Sequence, residues 1–339
     1  MTAVPTKTRC LVLTQQDGRT SASIESVPIA SIPNRGDVLV NVAYSSLNYK
    51  DALAVTGRGK IIRGEFPFVP GIDLAGTVVE SDSRLFTPGD EVIATGWGLG
   101  ESSWGGYTEY QRVRSEWLVP VPAGLDLRMA MAFGTAGLTA MLAVKSIESK
   151  GIGPSDGEVV VTGATGGVGS MAILILAGLG YAVVASTGKP DAHAYLRRLG
   201  ASTIIDRGIL SAGAARPLDT GSWAAAIDSV GGSTLSAILS QIKRHGVVAL
   251  CGLVGGAEFE STVYPFILRG VSLVGIDSNT CPPPLRTSAW ERIAGIVPSN
   301  DVLQTVRMVK LQDVSEVCEE MLAGRITGRT VVSIFGEDA

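Results

Sequence analysis

Four β-favouring residues, Val159-Val160-Val161-Thr162, run straight into Gly163-Ala164-Thr165-Gly166-Gly167-Val168-Gly169, and an apolar segment from Ser170 to Leu179 follows at once. Few features constrain a fold so tightly. Glycine takes the tight turn without steric cost and lets backbone N–H groups approach a pyrophosphate, while the helix N-terminus beyond favours negative charge. A glycine run alone is a common turn signal; placed between a strand and a helix it reads as a dinucleotide site. The glycines at 163, 166, 167 and 169 depart from the strict G-x-G-x-x-G spacing.

From Gly157 onward the pattern repeats strand, helix, strand. Strands are expected at Val159–Thr162, Ala182–Ser186, Ser202–Ile205, Ala224–Asp228, Val247–Cys251 and Val271–Ile276, with helices at Ser170–Leu179, Asp191–Leu199, Ser233–His245 and Val263–Leu268. Six strands with crossovers predict a doubly wound parallel sheet. The first 125 or so residues read instead as a mostly-β domain, with short runs (Cys10–Leu13, Asp37–Ala43, Ile72–Glu80, Glu91–Thr95) cut by Pro and Gly. A long helix over Met129–Lys150 links the two. The tail offers helices near Arg286–Ile296 and Val314–Leu322 and a last strand at Thr330–Ile334, expected to return to the first domain. The fold class is therefore α/β: a mostly-β domain over 1–130 completed by 283–339, and a dinucleotide-binding domain over 131–282.

Composition narrows the function. The chain has 339 residues, 18% charged and with a net charge of −4, and no long run of either sign. Nucleic acid and anionic membranes have little to hold on to. The longest apolar runs, Met129–Val144 and Met171–Ser186, are broken by glycines and fall short of the ~18 residues of a spanning helix. The first residues lack a charged stretch followed by an apolar one, so a cytoplasmic location is expected. Four scattered cysteines (Cys10, Cys251, Cys281, Cys318) make neither a disulfide framework nor a zinc spacing. The two histidines, His193 and His245, are read in helical segments and not as catalytic groups.

The second strand ends Ala185-Ser186-Thr187-Gly188-Lys189, hydroxyls and a cation where NAD selectivity usually places an acid. Thr187, Lys189 and Arg207 could give a 2′-phosphate charge-assisted donors, which favours NADPH. Asp191 is the rival acid, though beyond Pro190 it also suits the first turn of a helix.

Three further stretches carry a resemblance: Tyr44-Ser45-Ser46-Leu47-Asn48-Tyr49-Lys50-Asp51, Pro70-Gly71-Ile72-Asp73-Leu74-Ala75-Gly76 and Gly134-Thr135-Ala136-Gly137-Leu138-Thr139-Ala140. With the glycine turn, and with Thr95 to Gly100, Cys251-Gly252-Leu253, Pro265 to Arg269 and Gly328-Arg329-Thr330, they resemble the medium-chain dehydrogenase/reductase superfamily along essentially the whole chain. The similarity is to its zinc-free, quinone-oxidoreductase-like branch, and within that to bacterial acrylyl-CoA reductases. It implies a GroES-like substrate domain with an inserted Rossmann domain. It also implies a homodimer in which the strand near Val271–Ile276 pairs across subunits.

Zinc-dependent members carry a Cys near Asn48, a Gly-His-Glu near Ile72-Asp73 and a four-Cys lobe. This chain has none of these, so no metal is expected. The implied reaction is NADPH-dependent reduction of the carbon–carbon double bond of acrylyl-CoA, with hydride going to the β-carbon. Alternatives are a quinone or enone reductase, a longer-chain enoyl-CoA reductase, and a non-catalytic NADPH-binding protein. The implied catalytic residues are Asn48, to orient nicotinamide or substrate, Tyr49, to line the coenzyme and donate a proton, and Asp51, to hold the local network. Implied coenzyme contacts are Tyr49, Thr135, Thr139, Thr165, Gly166, Gly167, Val168, Thr187, Gly188, Lys189, Arg207, Leu253, Ile267 and Ser278. Arg58, Lys60 and Arg63 are candidates for the CoA phosphates.

Overall fold

A hairpin opens the chain in the computed structural model, which describes residues 4–33, 36–296 and 306–336. The limits of the expected first domain at 1 and 339 thus lie outside the described residues. Strands β1 (Lys7–Gln16) and β2 (Arg19–Pro28) pair antiparallel around Asp17-Gly18. Both turn residues have positive φ, 49° and 75°, the twist that a two-residue hairpin turn needs. There follow β3 (Val38–Leu47), α1 (Tyr49–Val55), β4 (Asp73–Ser81), β5 (Glu91–Thr95), β6 (Tyr110–Val113) and β7 (Leu118–Pro120). Helix α2 (Leu127–Ser149) then carries the chain to β8 (Val159–Val161), α3 (Gly167–Gly178), β9 (Val183–Thr187), α4 (His193–Arg198), β10 (Thr203–Asp206) and α5 (Gly208–Ser211). Next come β11 (Trp223–Asp228), α6 (Gly232–Gln241), β12 (Ile242–Leu250), α7 (Tyr264–Arg269), β13 (Ser272–Gly275) and α8 (Pro283–Ile296). The chain closes with β14 (Val306–Lys310), α9 (Val314–Leu322) and β15 (Arg329–Ser333).

The described residues form two compact units, one within 4–135 with 279–294 and 306–336, the other 136–278 with 295–296. In the first unit a seven-stranded sheet runs β14-β15-β3-β4-β5-β7, with β6 also on β3. The returning tail strand β15 pairs antiparallel with β3, Val331 opposite Ser46. Its core gathers Leu11, Leu13, Val40, Leu47, Phe68, Leu74, Tyr107, Val317 and Val332.

In the second unit six parallel strands run β10-β9-β8-β11-β12-β13. The order reverses between β8 and β11, and in such sheets that reversal opens a crevice at the strands' carboxyl ends. Val159, Val160 and Val161 are fully buried, as expected of a strand covered on both faces. Helix α3 buries Met171, Ala172, Ile173, Ile175 and Leu176 together, so it is apolar almost all round, the signature of a core helix.

Three expectations need correction. The helix expected over Ser233–His245 ends at Gln241, and His245 lies in β12 with φ 61°. The interrupted reading Ile242–Leu250 follows because β-branched and apolar residues on both sides of His245 find places beside β11. The long linking helix breaks at Gly134, whose φ of 50° and ψ of −153° are not helical. Finally, α2 at 23 residues is long and apolar enough by length and composition to cross a membrane, yet 83% of its most apolar stretch is buried within the protein. It is a core helix whose flanking polar residues the apolar-run reading had trimmed away.

Candidate active site

In the second unit the glycine turn does what its residue types dictate. Gly163 has φ 56°, and a Cβ there would stand 2.4 Å from Ser229 Oγ. A Cβ on Gly169 would stand 2.3 Å from the carbonyl oxygen of Gly163, so only glycine lets α3 pack this closely on the turn. Gly166 is the N-cap and contributes no side-chain cap, so the N–H groups of Gly167, Val168 and Gly169 open the helix without intrahelical acceptors. Thr165 is buried beside them. An open row of donors at the end of a 12-residue helix is the arrangement a pyrophosphate fits.

Across the reversal point, Asp228 at the end of β11 is fully buried. It accepts from Thr162 Oγ1, from Val230 N at 3.1 Å and from Gly231 N at 3.0 Å. Burial raises its pKa, against the pull of those donors. Ser229 Oγ donates back to Thr162 O at 3.0 Å, tying the two strand ends together.

The end of β9 supplies the cationic end of the crevice. Thr187 is buried; its Oγ1 accepts from Lys189 N at 3.1 Å and its carbonyl from Arg207 N at 3.0 Å. The Arg207 side chain lies over Gly188, where a Cβ would meet Nε at 2.5 Å. Sequence reading placed Thr187, Gly188, Lys189 and Arg207 together, and the structure does so. Desolvation lowers the Lys189 pKa, a cost that an anion beside it would offset. Asp191 sits in the first turn of a short 3₁₀ helix, Pro190–Ala192. Of the remaining residues, Thr139 Oγ1 and Ser278 Oγ are 2.7 Å apart. Leu253 lines a pocket of about 500 Å³ with Leu250, Cys251 and Ile276. Ile267 lies on α7, 67% exposed, and joins none of these groups.

In the first unit the expected catalytic stretch meets a buried polar network (Asp51 and Asp73 both at most 1% exposed). Asp73, at the start of β4, accepts from Asn48 Nδ2 at 2.9 Å, from the backbone N of Thr135 at 3.0 Å, from Thr135 Oγ1 and from Ser46 Oγ. Asn48 Oδ1 accepts from Arg329 Nη1 at 3.1 Å, and Arg329 Nε donates to Ala132 O at 2.9 Å. Asp51 accepts from Asn48 N and Ile72 N, both at 2.9 Å, and so pins the start of α1 to the loop before β4. Tyr107 Oη donates to Ser46 O at 3.2 Å. Gly134 leaves room for all of this: a Cβ there would stand 2.6 Å from Asp73 Oδ2, 2.7 Å from Ser46 Oγ and 2.9 Å from Arg329 Nη2.

Burial raises the Asp51 pKa to about 7, helped by the neighbouring Asp73 and opposed by its N–H donors. Tyr107 is pushed well above the ordinary phenol range, first by burial and then by Asp51. Both polar ends of Asn48 are thus engaged by protein groups, while Tyr49, the next residue, is 46% exposed. Sequence reasoning missed Ser46, Asp73, Gly134 and Arg329 as a unit. Asp73 and Arg329 stood inside quoted motifs, but nothing in one dimension says that positions 256 apart share a cluster.

The three cations expected to meet CoA phosphates divide. Arg58 pairs with Glu319 at 2.6 Å, both more than half or half exposed, and such pairs contribute about 0–1 kcal/mol. Arg63 pairs with Glu101, which also holds Lys50 at 2.9 Å and is itself buried. Lys60 is exposed. Lys50, next to Tyr49, was not among the expected cations.

Known proteins match this architecture. Residues 34–123 fit the family model described as an alcohol dehydrogenase GroES-like domain, and residues 167–295 the one described as a zinc-binding dehydrogenase. The chain belongs to the medium-chain dehydrogenase/reductase superfamily, in the branch of the acrylyl-CoA reductases and quinone oxidoreductase-like proteins. It is 47% identical to the acrylyl-CoA reductase AcuI of Ruegeria pomeroyi, over 94% of this chain and 96% of that one. The yhdH oxidoreductase of Salmonella enterica, solved in complex with NADP, is 49% identical with a TM-score of 0.93, covering 96% of this chain and 99% of its own. Bacillus subtilis yhfP, solved with NAD bound, is 45% identical with a TM-score of 0.93, covering 97% and 100%.

Zinc does not fit the residues present. Among the described residues no group of three or more His, Cys, Asp or Glu side chains could hold a metal ion. The four cysteines are free and scattered, and burial pushes the thiols of Cys10 and Cys251 up to about 12.

Proposed function

We propose that this chain is an NADPH-dependent reductase of acrylyl-CoA, forming propionyl-CoA. The observation that carries the reading is the pairing of an open helix N-terminus at Gly167 with Thr187 and Lys189 at the end of the next strand and Arg207 after the one beyond, in a chain close to half identical to an acrylyl-CoA reductase. The first feature suits a pyrophosphate, the second a 2′-phosphate. Bound NADPH supplies a hydride for the β-carbon of the conjugated thioester.

The chain's own residues do the rest. Gly167, Val168 and Gly169 hold the pyrophosphate by backbone donors, with Thr165 and Gly166 shaping the turn. Thr139 and Ser278 present hydroxyls, and Leu253 apolar surface, to the coenzyme. Asp73, Arg329 and Asp51 fix Asn48 and the start of α1, so that Tyr49 stands at one position beside the alkene. Tyr49 lines the coenzyme and delivers a proton to the α-carbon. A fixed donor is worth more than a mobile one because no reorganisation is needed as charge develops on the thioester oxygen. Lys60 and Arg58 meet the CoA phosphates. Breaking the exposed Arg58–Glu319 pair costs little, whereas releasing Arg63 would leave Glu101 less compensated in a buried place.

The assembly proposed is a cytoplasmic homodimer. Strand β13 is the edge of the parallel sheet, and Val263, Tyr264, Ile267 and Leu268 on and before α7 are 47–67% exposed. An unpaired edge beside apolar surface is what a two-fold pairing of sheets covers.

NADPH oxidation measured side by side with acrylyl-CoA, crotonyl-CoA and a small quinone tests the reading. Turnover of acrylyl-CoA at the highest kcat/KM is expected. Preference for the quinone would replace it with the quinone-reductase reading.

A further inference from the structure

Trp97 stands in a conformation that tryptophan rarely adopts. Its φ is 58°, in the left-handed region, and Gly96, Gly98 and Gly100 around it have φ of 77°, 79° and 70°. None of the three has room for a Cβ: the nearest atoms would be Asn279 O at 2.5 Å, Ser102 Oγ at 2.4 Å and Gly71 C at 2.7 Å. A bulky residue persists in such a loop only where surrounding contacts over-determine it.

Those contacts are specific. Trp97 N donates to Asn279 O at 2.9 Å, and the guanidinium of Arg286 lies 5.0 Å from the indole centroid. Arg286, 2% exposed, donates to Thr95 O at 2.6 Å and to Asn279 O at 3.0 Å, so the cation that backs the ring is itself clamped. The indole N–H is covered and has no hydrogen-bond partner, so the ring contributes shape and a π-face rather than a donor. Trp97 as a whole is only partly buried.

The loop runs between two groups already described. At one end Gly96 N donates to Ile72 O at 3.3 Å, the residue before Asp73. At the other, Glu101 N donates to Gly98 O at 3.0 Å, and the Glu101 carboxylate holds Lys50 and Arg63. The loop that carries Trp97 thus ties the residue before Asp73 to the carboxylate that holds Lys50 and Arg63.

We propose that Trp97 sets the acyl-chain length the enzyme accepts, its clamped indole limiting the space beyond the β-carbon of the thioester. This rests on the thioester-reducing reading above. The test is kcat/KM for acrylyl-CoA, crotonyl-CoA and trans-2-hexenoyl-CoA at saturating NADPH, for wild type, Trp97→Phe, Trp97→Ala and Trp97→Gly. The Ala and Gly variants are expected to raise the hexenoyl-to-acrylyl ratio at least tenfold, with KM for NADPH within twofold and Phe within threefold of wild type. Glycine relieves the positive φ, so this variant keeps the test open if alanine misfolds, with circular dichroism as the check. A ratio unchanged in folded Trp97→Gly overturns the proposal while acrylyl-CoA turnover preserves the parent reading. A wild type that reduces no enoyl-CoA overturns both.

Discussion

Asp73 is the residue on which the first unit's polar network converges. It receives four donors from Ser46, Asn48 and Thr135, and the Asp73 carboxylate that accepts them is fully buried. Leaving one such group unsatisfied costs about 1–3 kcal/mol, so crowding this spot is severe. Gly134→Ala should therefore lower stability by about 2–4 kcal/mol, since its Cβ would strike Asp73 and Ser46 and its φ would be strained. Denaturant unfolding measures this, and a loss under ~0.5 kcal/mol would contradict the packing described.

Asp51 carries the pH signature. Its folded pKa, about 7, lies above the ordinary 3.8, so the folded state holds its proton more tightly than the unfolded state. Its contribution to stability is complete below pH ~4 and is lost as pH rises through about 7. Against Asp51→Asn, which cannot ionise, wild type should lose relative stability between pH 4 and 8; a pH-independent difference would count against the shift. At the coenzyme site, Lys189→Glu should raise KM for NADPH at least tenfold and leave KM for NADH nearly unchanged. Equal effects on the two would remove Lys189 from the 2′-phosphate.

At the scale of elements, legibility followed local signal. Parallel strands β8 to β11 and β13 could be placed to within a few residues because each is a short apolar run bounded by glycine or a helix pattern, whereas β12 begins five residues before its expected start. Helix α9 matched its expected span, Val314–Leu322, because charged and apolar residues alternate there with helical period. β2, β6, β7 and β14 were not foreseen: β2 is mostly exposed and polar, and β7 spans only three residues. The Asp17-Gly18 dipeptide was a readable hairpin signal that went unused. His245 was misplaced because a short apolar run carries no period that separates strand from helix. The candidate site was half legible: Thr165 to Val168, Thr187 to Lys189 and Arg207 follow the ends of the adjacent strands β8, β9 and β10, whereas Asp73 and Arg329 meet only when β15 returns to β3.

The exposed edge β13 carries the prediction for assembly. Light scattering should give twice the 35.2 kDa of one chain. Leu268→Lys, placing a charge on the apolar surface beside that edge, should shift the mass toward one chain; an unchanged dimer would move the interface elsewhere.

For the whole molecule, a net charge of −4 gives no general attraction for an anionic substrate. Under the proposed function, recognition of a phosphorylated thioester falls to local cations; Lys60→Glu should then raise KM for acrylyl-CoA and leave KM for NADPH unchanged, and an unchanged KM for acrylyl-CoA would remove Lys60 from the phosphates. Each unit is built from residues far apart in the chain, as where β15 returns to pair with β3.

Mass spectrometry of the product made from acrylyl-CoA and NADPH deuterated at the transferable position asks directly which bond is reduced and by what. Propionyl-CoA bearing one deuterium at C3, with C2 protonated from the protein or solvent, is the predicted result. Unlabelled product, or acrylyl-CoA returned intact while NADPH is consumed on a quinone, would contradict the account.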